Sequence, residues 1–144
     1  IMDDENQPLA GKLSMTMNAR GVSYVGHYSR FMLYEIPEDK TIDKVAIISG
    51  PHVYAQQLAD EVAEKHPDAL FICDDSVELP VALSRISGFW RDQDVKVLEA
   101  KKIISRSGYS TVMDAKILNA ETEYIPTPGQ AEQIYLKKWL KDSD

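Results

Sequence analysis

The run Val45-Ala46-Ile47-Ile48, closed at once by Ser49-Gly50-Pro51, constrains this chain more than any other stretch. Consecutive apolar residues with no polar alternation leave no face for water. That is the pattern of a strand covered on both sides, and such strands belong to parallel sheets. The next segment fits this reading. Residues 53–65 place Tyr54, Leu58 and Val62 on one side and Asp60, Glu61 and Glu64 on the other, an amphipathic helix stopped by Pro67. Residues 69–73 read as a second buried strand, 85–89 as a third after an irregular stretch around Pro80, and 95–100 as a short helix. A strand at 102–105, a helix at 110–118, a strand at 123–125 and a final helix at 129–140 with Ile134 and Trp139 complete the pattern. The alternation predicts an α/β fold: a Rossmann-like open, mainly parallel sheet with helices on both faces. In such a sheet, ligands sit beyond the carboxyl ends of the strands.

Upstream the patterning is poor. Gly11, Gly21 and Gly26 interrupt it, a short strand fits only at 22–25, and 31–44 mixes Pro37 with several charges and resembles a loop. The expected division is therefore 1–43 as a crossing segment or the remnant of a neighbouring half, and 44–144 as the ligand-binding domain. A length of 144 residues fits one domain, which at this size buries roughly two thirds of the surface of its unfolded chain.

Sixteen Lys and Arg against 23 Asp and Glu give a formal charge of −7. A chain with this balance repels nucleic acid and anionic membrane at long range, while local backbone dipoles can still hold one phosphorylated small molecule. Cys73 is the single cysteine and lies in an apolar run. It reads as a core thiol in a reducing compartment, and neither a disulfide framework nor a cysteine metal cluster can be built. No apolar run approaches the ~18 to 20 residues of a membrane span, and the start lacks a signal-peptide profile, so the expected location is cytoplasmic. The chain opens on Ile1 and the acidic patch Asp3, Asp4, Glu5, which reads as part of a longer protein. The HExxH, GxSxG and Walker A patterns do not occur, which argues against the common hydrolase and NTPase chemistries. No metal or cofactor is expected.

Three turns could carry a ligand. In Ile104-Ser105-Arg106-Ser107-Gly108-Tyr109-Ser110-Thr111-Val112-Met113-Asp114 a buried strand turns at a glycine into a helix whose first turn is rich in hydroxyls. The unpaired N–H groups and partial positive charge of a helix start suit a phosphate, and Arg106 adds a formal cation. Spacing leaves open the plainer alternative that Ser107 or Ser110 only caps the helix. In Tyr124-Ile125-Pro126-Thr127-Pro128-Gly129-Gln130-Ala131-Glu132-Gln133 the two glutamines, three apart, share one helix face and suit hydroxyl-rich ligands. A rigid turn with solvated amides is the competing reading. In Ser49-Gly50-Pro51-His52 small residues permit close approach and His52 can touch a phosphate, against an ordinary tight turn. His27 and His66 stand apart from acidic or cysteine clusters and read as surface residues.

Taken together, residues 44–140 resemble the C-terminal domain of glycosyltransferase family 28, the donor-binding half of a two-domain GT-B enzyme. Ser105-Arg-Ser-Gly-Tyr-Ser-Thr-Val-Met-Asp114 is similar to the family's strand, turn and helix motif, and Ile125-Pro-Thr-Pro-Gly-Gln-Ala-Glu-Gln133 to its proline-led, glutamine-bearing loop. Leu9-Ala-Gly-Lys-Leu-Ser14 and Tyr24-Val-Gly-His-Tyr-Ser-Arg-Phe31 look like the segment that joins the halves in related bacterial proteins. The resemblance implies that Asp114 holds the ribose hydroxyls of a UDP-sugar, where the family usually has glutamate. It further implies that Gln133 reads hydroxyls of the sugar, and that Ser107, Gly108, Ser49 and Gly50 face the diphosphate. The family's paired glutamines appear here as Gln133 followed by Ile134. The implied partner is a UDP-hexosamine donor, with UDP-N-acetylglucosamine the expected one. The catalytic base and any peripheral membrane contact belong to a missing N-terminal acceptor half, without which the chain is expected to be inactive. The alternatives are a non-catalytic nucleotide-sugar-binding module of the same fold and a UDP-sugar epimerase, which needs an acid and base pair that the sequence does not display.

Overall fold

Residues 1–15 and 20–143 are described by the structure, a computed structural model of the chain. Five parallel strands, β1 (Ile42–Ile47), β2 (Leu70–Ile72), β3 (Arg85–Ile86), β4 (Ala100–Ser105) and β5 (Glu121–Tyr124), form one sheet in the order β3-β2-β1-β4-β5. Between and after them run α1 (His52–Lys65), α2 (Trp90–Leu98), α3 (Tyr109–Leu118) and α4 (Ala131–Ser143). The predicted open α/β architecture is the one observed.

The strands carry two cores because successive side chains point to opposite faces. Ala46, Phe71 and Ile104 join Leu58, Ala59 and Val62 of α1 on one face. Val45, Ile72 and Ile103 join Val97 and Leu98 of α2 and Leu118 of α3 on the other. That second cluster also contains Phe31, fully buried on a short 3-10 helix (Arg30–Leu33). Burying a side chain of this size contributes about 2 to 3 kcal/mol. The stretch read as a loop thus supplies a core residue, and β1 begins at Ile42, two residues before the expected boundary. Cys73 is a buried thiol of the α1-side cluster, as expected.

Several local expectations differ from the structure: β3 covers only Arg85–Ile86 of the expected 85–89, and β5 begins at Glu121 rather than 123. Residues 22–25 form no strand; Val25 and Gly26 instead donate to the carbonyls of Ile1 and Asp3, at 3.0 Å each, without a continuing ladder. The helix expected at 95–100 begins earlier, at Trp90, and Ala100 already belongs to β4. Its apolar pattern misleads because Trp90 and Val95 face water while Asp94 is buried. The final helix starts at Ala131, after Gly129 has turned the chain at φ +80°.

The N-terminal segment crosses the starts of α3 and the length of α4. Tyr109 donates its hydroxyl to Met2 O (2.5 Å), Lys12 N donates to Tyr135 Oη (2.8 Å), and Trp139 Nε1 donates to Pro8 O (3.2 Å). Gly11 sits at φ +52°, and a Cβ there would collide with the Tyr135 hydroxyl and lie 2.8 Å from the Trp139 ring. Only glycine fits this crossing. No described helix is long and apolar enough to cross a membrane.

Candidate functional site

The strand order reverses between β1 and β4: from β1 the chain moves outward to β2 and β3, then returns to β4 on the other side. At such a switch point the helices leaving the two strands lie on opposite faces, which opens a crevice at the carboxyl edge. The parallel register pairs Ile47 with Ser105, so the turn 49–52 and the turn 106–108 emerge side by side. Ser49, Gly50 and His52 are exposed there, and Gly50 adopts φ +105°. Gly108 has an ordinary φ of −75°, and a Cβ built on it would meet no atom within 4 Å.

Helix starts gather at this edge. Pro51 precedes α1, Phe89 precedes α2 and Gly108 precedes α3, and none of the three starts receives a side-chain cap. Their first-turn N–H groups therefore keep the partial positive charge that a cap would offset. The capping alternative for Ser107 and Ser110 is not what the structure holds. Ser107 Oγ donates to Gln133 O at 2.7 Å and ties α4 to the end of β4, while Ser110 and Thr111 lie within the first turn of α3.

Arg106 is 7% exposed. Its Nη1 donates to Ile125 O (3.1 Å) and Pro126 O (2.9 Å), and its Nη2 donates to Tyr54 O (2.8 Å). The guanidinium thus joins the end of β5 to the first turn of α1. Its Nε is buried without a hydrogen-bond partner, and burial lowers the pKa of the group, with Glu61 opposing. The glutamines are likewise engaged at their own loop. Gln133 Oε1 accepts from Thr127 N (2.8 Å), and Gln133 Nε2 donates to Gln130 Oε1 (2.5 Å).

Asp114 stands apart from these turns, on the second turn of α3. Its Oδ1 accepts from Ser29 Oγ at 2.6 Å and its Oδ2 from Arg30 Nη1 at 2.9 Å. Arg30 Nε donates in turn to Asp94 Oδ1 on α2 at 2.9 Å, and Tyr34 Oη donates to Asp94 Oδ2 at 3.1 Å. Burial pushes the Asp114 carboxyl up; the Ser29 hydrogen bond and Arg30 hold it down in part, and Asp94 adds to the rise. Asp114 borders a hollow of about 230 Å³ with Ser110, Met113, Tyr109, Tyr28 and Arg30. A second hollow, of about 440 Å³, lies between α3, β5 and α4. Arg106 and Gln133 line neither, so neither of these two hollows brings together the three residues expected to meet one ligand.

Ser29, Arg30 and Asp94 were not among the residues singled out by sequence. Only the Ser-Arg pair within residues 24–31 carried a signal, as part of the joining segment. The two histidines read as free surface residues each meet a carboxylate: His27 Nε2 lies 3.3 Å from the buried Asp3, and His66 Nε2 lies 3.0 Å from Glu123. Among the described residues, no group of three His, Cys, Asp or Glu side chains could hold a metal ion. No family model matches the chain, and no curated protein or solved structure matches it either.

Proposed function

We propose that this chain is the donor-binding half of a nucleotide-sugar glycosyltransferase, holding the diphosphate of a UDP-hexosamine at the carboxyl edge between β1 and β4. The observation that carries the reading is the pairing of Ile47 with Ser105, which brings two uncapped helix starts, those of α1 and α3, to neighbouring strand ends. Backbone N–H groups and helix dipoles suit a diphosphate at such a place. Gly50 and Gly108 leave it open to a close approach.

In this reading Asp114 accepts hydrogen bonds from the ribose, as the family resemblance implies, while Gln133, whose amide is taken up by Thr127 and Gln130, holds its own loop rather than reading the sugar. Arg106 acts by holding the rim together. The departing UDP is then stabilised by the helix starts, a preorganised electrostatic contribution that needs no metal. The acceptor and the base that deprotonates it belong to the partner half. A second reading, a non-catalytic module that binds the same ligand, is favoured by the engagement of Arg106 and both glutamines in internal hydrogen bonds.

Titration calorimetry of the full chain tests the proposal. UDP and UDP-N-acetylglucosamine should bind and NAD should not, and Asp114→Ala should weaken UDP by about 1 to 3 kcal/mol through loss of a charged hydrogen bond. Absence of heat and of any thermal stabilisation with millimolar UDP overturns both readings.

A further inference from the structure

The carboxylate of Asp114 is not left to find its own orientation. Ser29 fixes one oxygen and Arg30 the other, at 2.6 and 2.9 Å. Arg30 is itself aimed by a residue of a different helix, the 3% exposed side chain of Asp94, whose second oxygen Tyr34 occupies. The guanidinium also lies 4.5 Å over the Phe31 ring, and Phe31 is locked in the core. A carboxylate oxygen accepts at two lone-pair sites. One site on each Asp114 oxygen is therefore used by the N-terminal segment, and one on each is left, the pattern needed to receive two adjacent hydroxyls at the hollow that Asp114 borders.

We propose that Arg30, aimed by Asp94, is a positioning residue that holds Asp114 in the ionised, fixed orientation required for the ribose diol of the donor. The inference rests on the nucleotide-sugar reading given above. Arg30 need not touch the ligand. The groups facing Asp114 are Ser29 and Arg30 from the N-terminal segment and Asp94 from α2; burial, joined by Asp94, disfavours the charged carboxyl, and the Ser29 hydrogen bond and the Arg30 cation oppose that effect. A pair that merely stapled the segment to α3 would not govern how ligand affinity depends on pH.

The test compares wild type, Arg30→Ala and Arg30→Lys as full chains, with UDP as the probe between pH 4.5 and 8 and thermal melting to confirm folding. Binding that needs the Asp114 carboxylate falls as pH drops through its pKa. Removing the cation raises that pKa, so the acid limb of the Arg30→Ala profile should move up by about one pH unit or more. Affinity at pH 7 should fall about tenfold, and the preference for UDP over its 2′-deoxy analogue should shrink. Arg30→Lys keeps the charge but not the two-armed bridge. It should restore the position of the acid limb while recovering only part of the affinity. If wild type binds UDP and folded Arg30→Ala matches it in affinity and pH profile, the role of Arg30 is overturned while the donor-site reading stands. If wild type does not bind UDP, the donor-site reading falls and the role falls with it.

Discussion

Replacing Arg106 with alanine should unfold the rim of the sheet before it reports anything about a ligand. The guanidinium donates to three backbone carbonyls, Ile125 O, Pro126 O and Tyr54 O, which lie on segments up to 72 positions apart in sequence terms when counted from 54 to 126. A hydrogen bond to a charged group contributes about 1.5 to 3 kcal/mol, and partial exposure of two of the acceptors argues for the low end. Against this, the variant no longer buries a cation whose Nε lacks a partner. The net expectation is a loss of about 3 kcal/mol. For a domain of this size that is on the order of 10 °C in melting temperature. Urea unfolding followed by circular dichroism measures it, with Arg106→Lys expected to fall between, since an ammonium lacks the planar fork. A midpoint within about 0.5 kcal/mol of wild type, the ordinary scatter of surface substitutions, would refute the clamp and return Arg106 to the role of a free cation.

Other substitutions separate fold from site. Gly108→Ala should cost at most about 1 kcal/mol of stability, because its φ is ordinary and the space is open; calorimetry should nevertheless show weaker UDP binding if the diphosphate approaches the backbone there. Phe31→Ala should cost about 3 to 5 kcal/mol, read from the shift of the urea midpoint. The buried Asp3 carboxyl is opposed by burial but held below its ordinary value by Ser14 and by the backbone N–H groups of Ala10, Leu9 and Asp4. A depressed carboxyl lends stability that is complete above its unfolded value and is lost as pH falls through the folded one. Hydrogen exchange of residues 4–14 should therefore accelerate on acidification below about pH 4, and Asp3→Asn should show that acceleration already at pH 7.

The strands and helices were legible because their signal is local. The apolar run at 45–48 announces a doubly covered strand, and both faces of β1 are indeed packed. The meeting of the turns at Ser49-Gly50 and Ser107-Gly108 also follows from the alternation, once a switch point is assumed. What escaped is tertiary. Asp94 looks like a solvated residue in the sequence, and partners 60 and 64 positions away, Tyr34 and Arg30, make its burial tolerable. Nothing in the spacing of Arg106 shows that the end of β5 turns carbonyls inward to meet it. Likewise the start of α2 is hidden because its exposed Trp90 and Val95 imitate a buried stripe.

Phe31 has a consequence for how this protein can be divided. Cutting before Lys44, where the patterning of the sequence changes, would strip an aromatic plug from the face shared by Val45, Ile103 and Leu118 and orphan Asp94 and Asp114 together. A fragment that keeps these contacts must therefore reach back at least to Ser29, and any transplant of this sheet into another protein has to carry that stretch along with it.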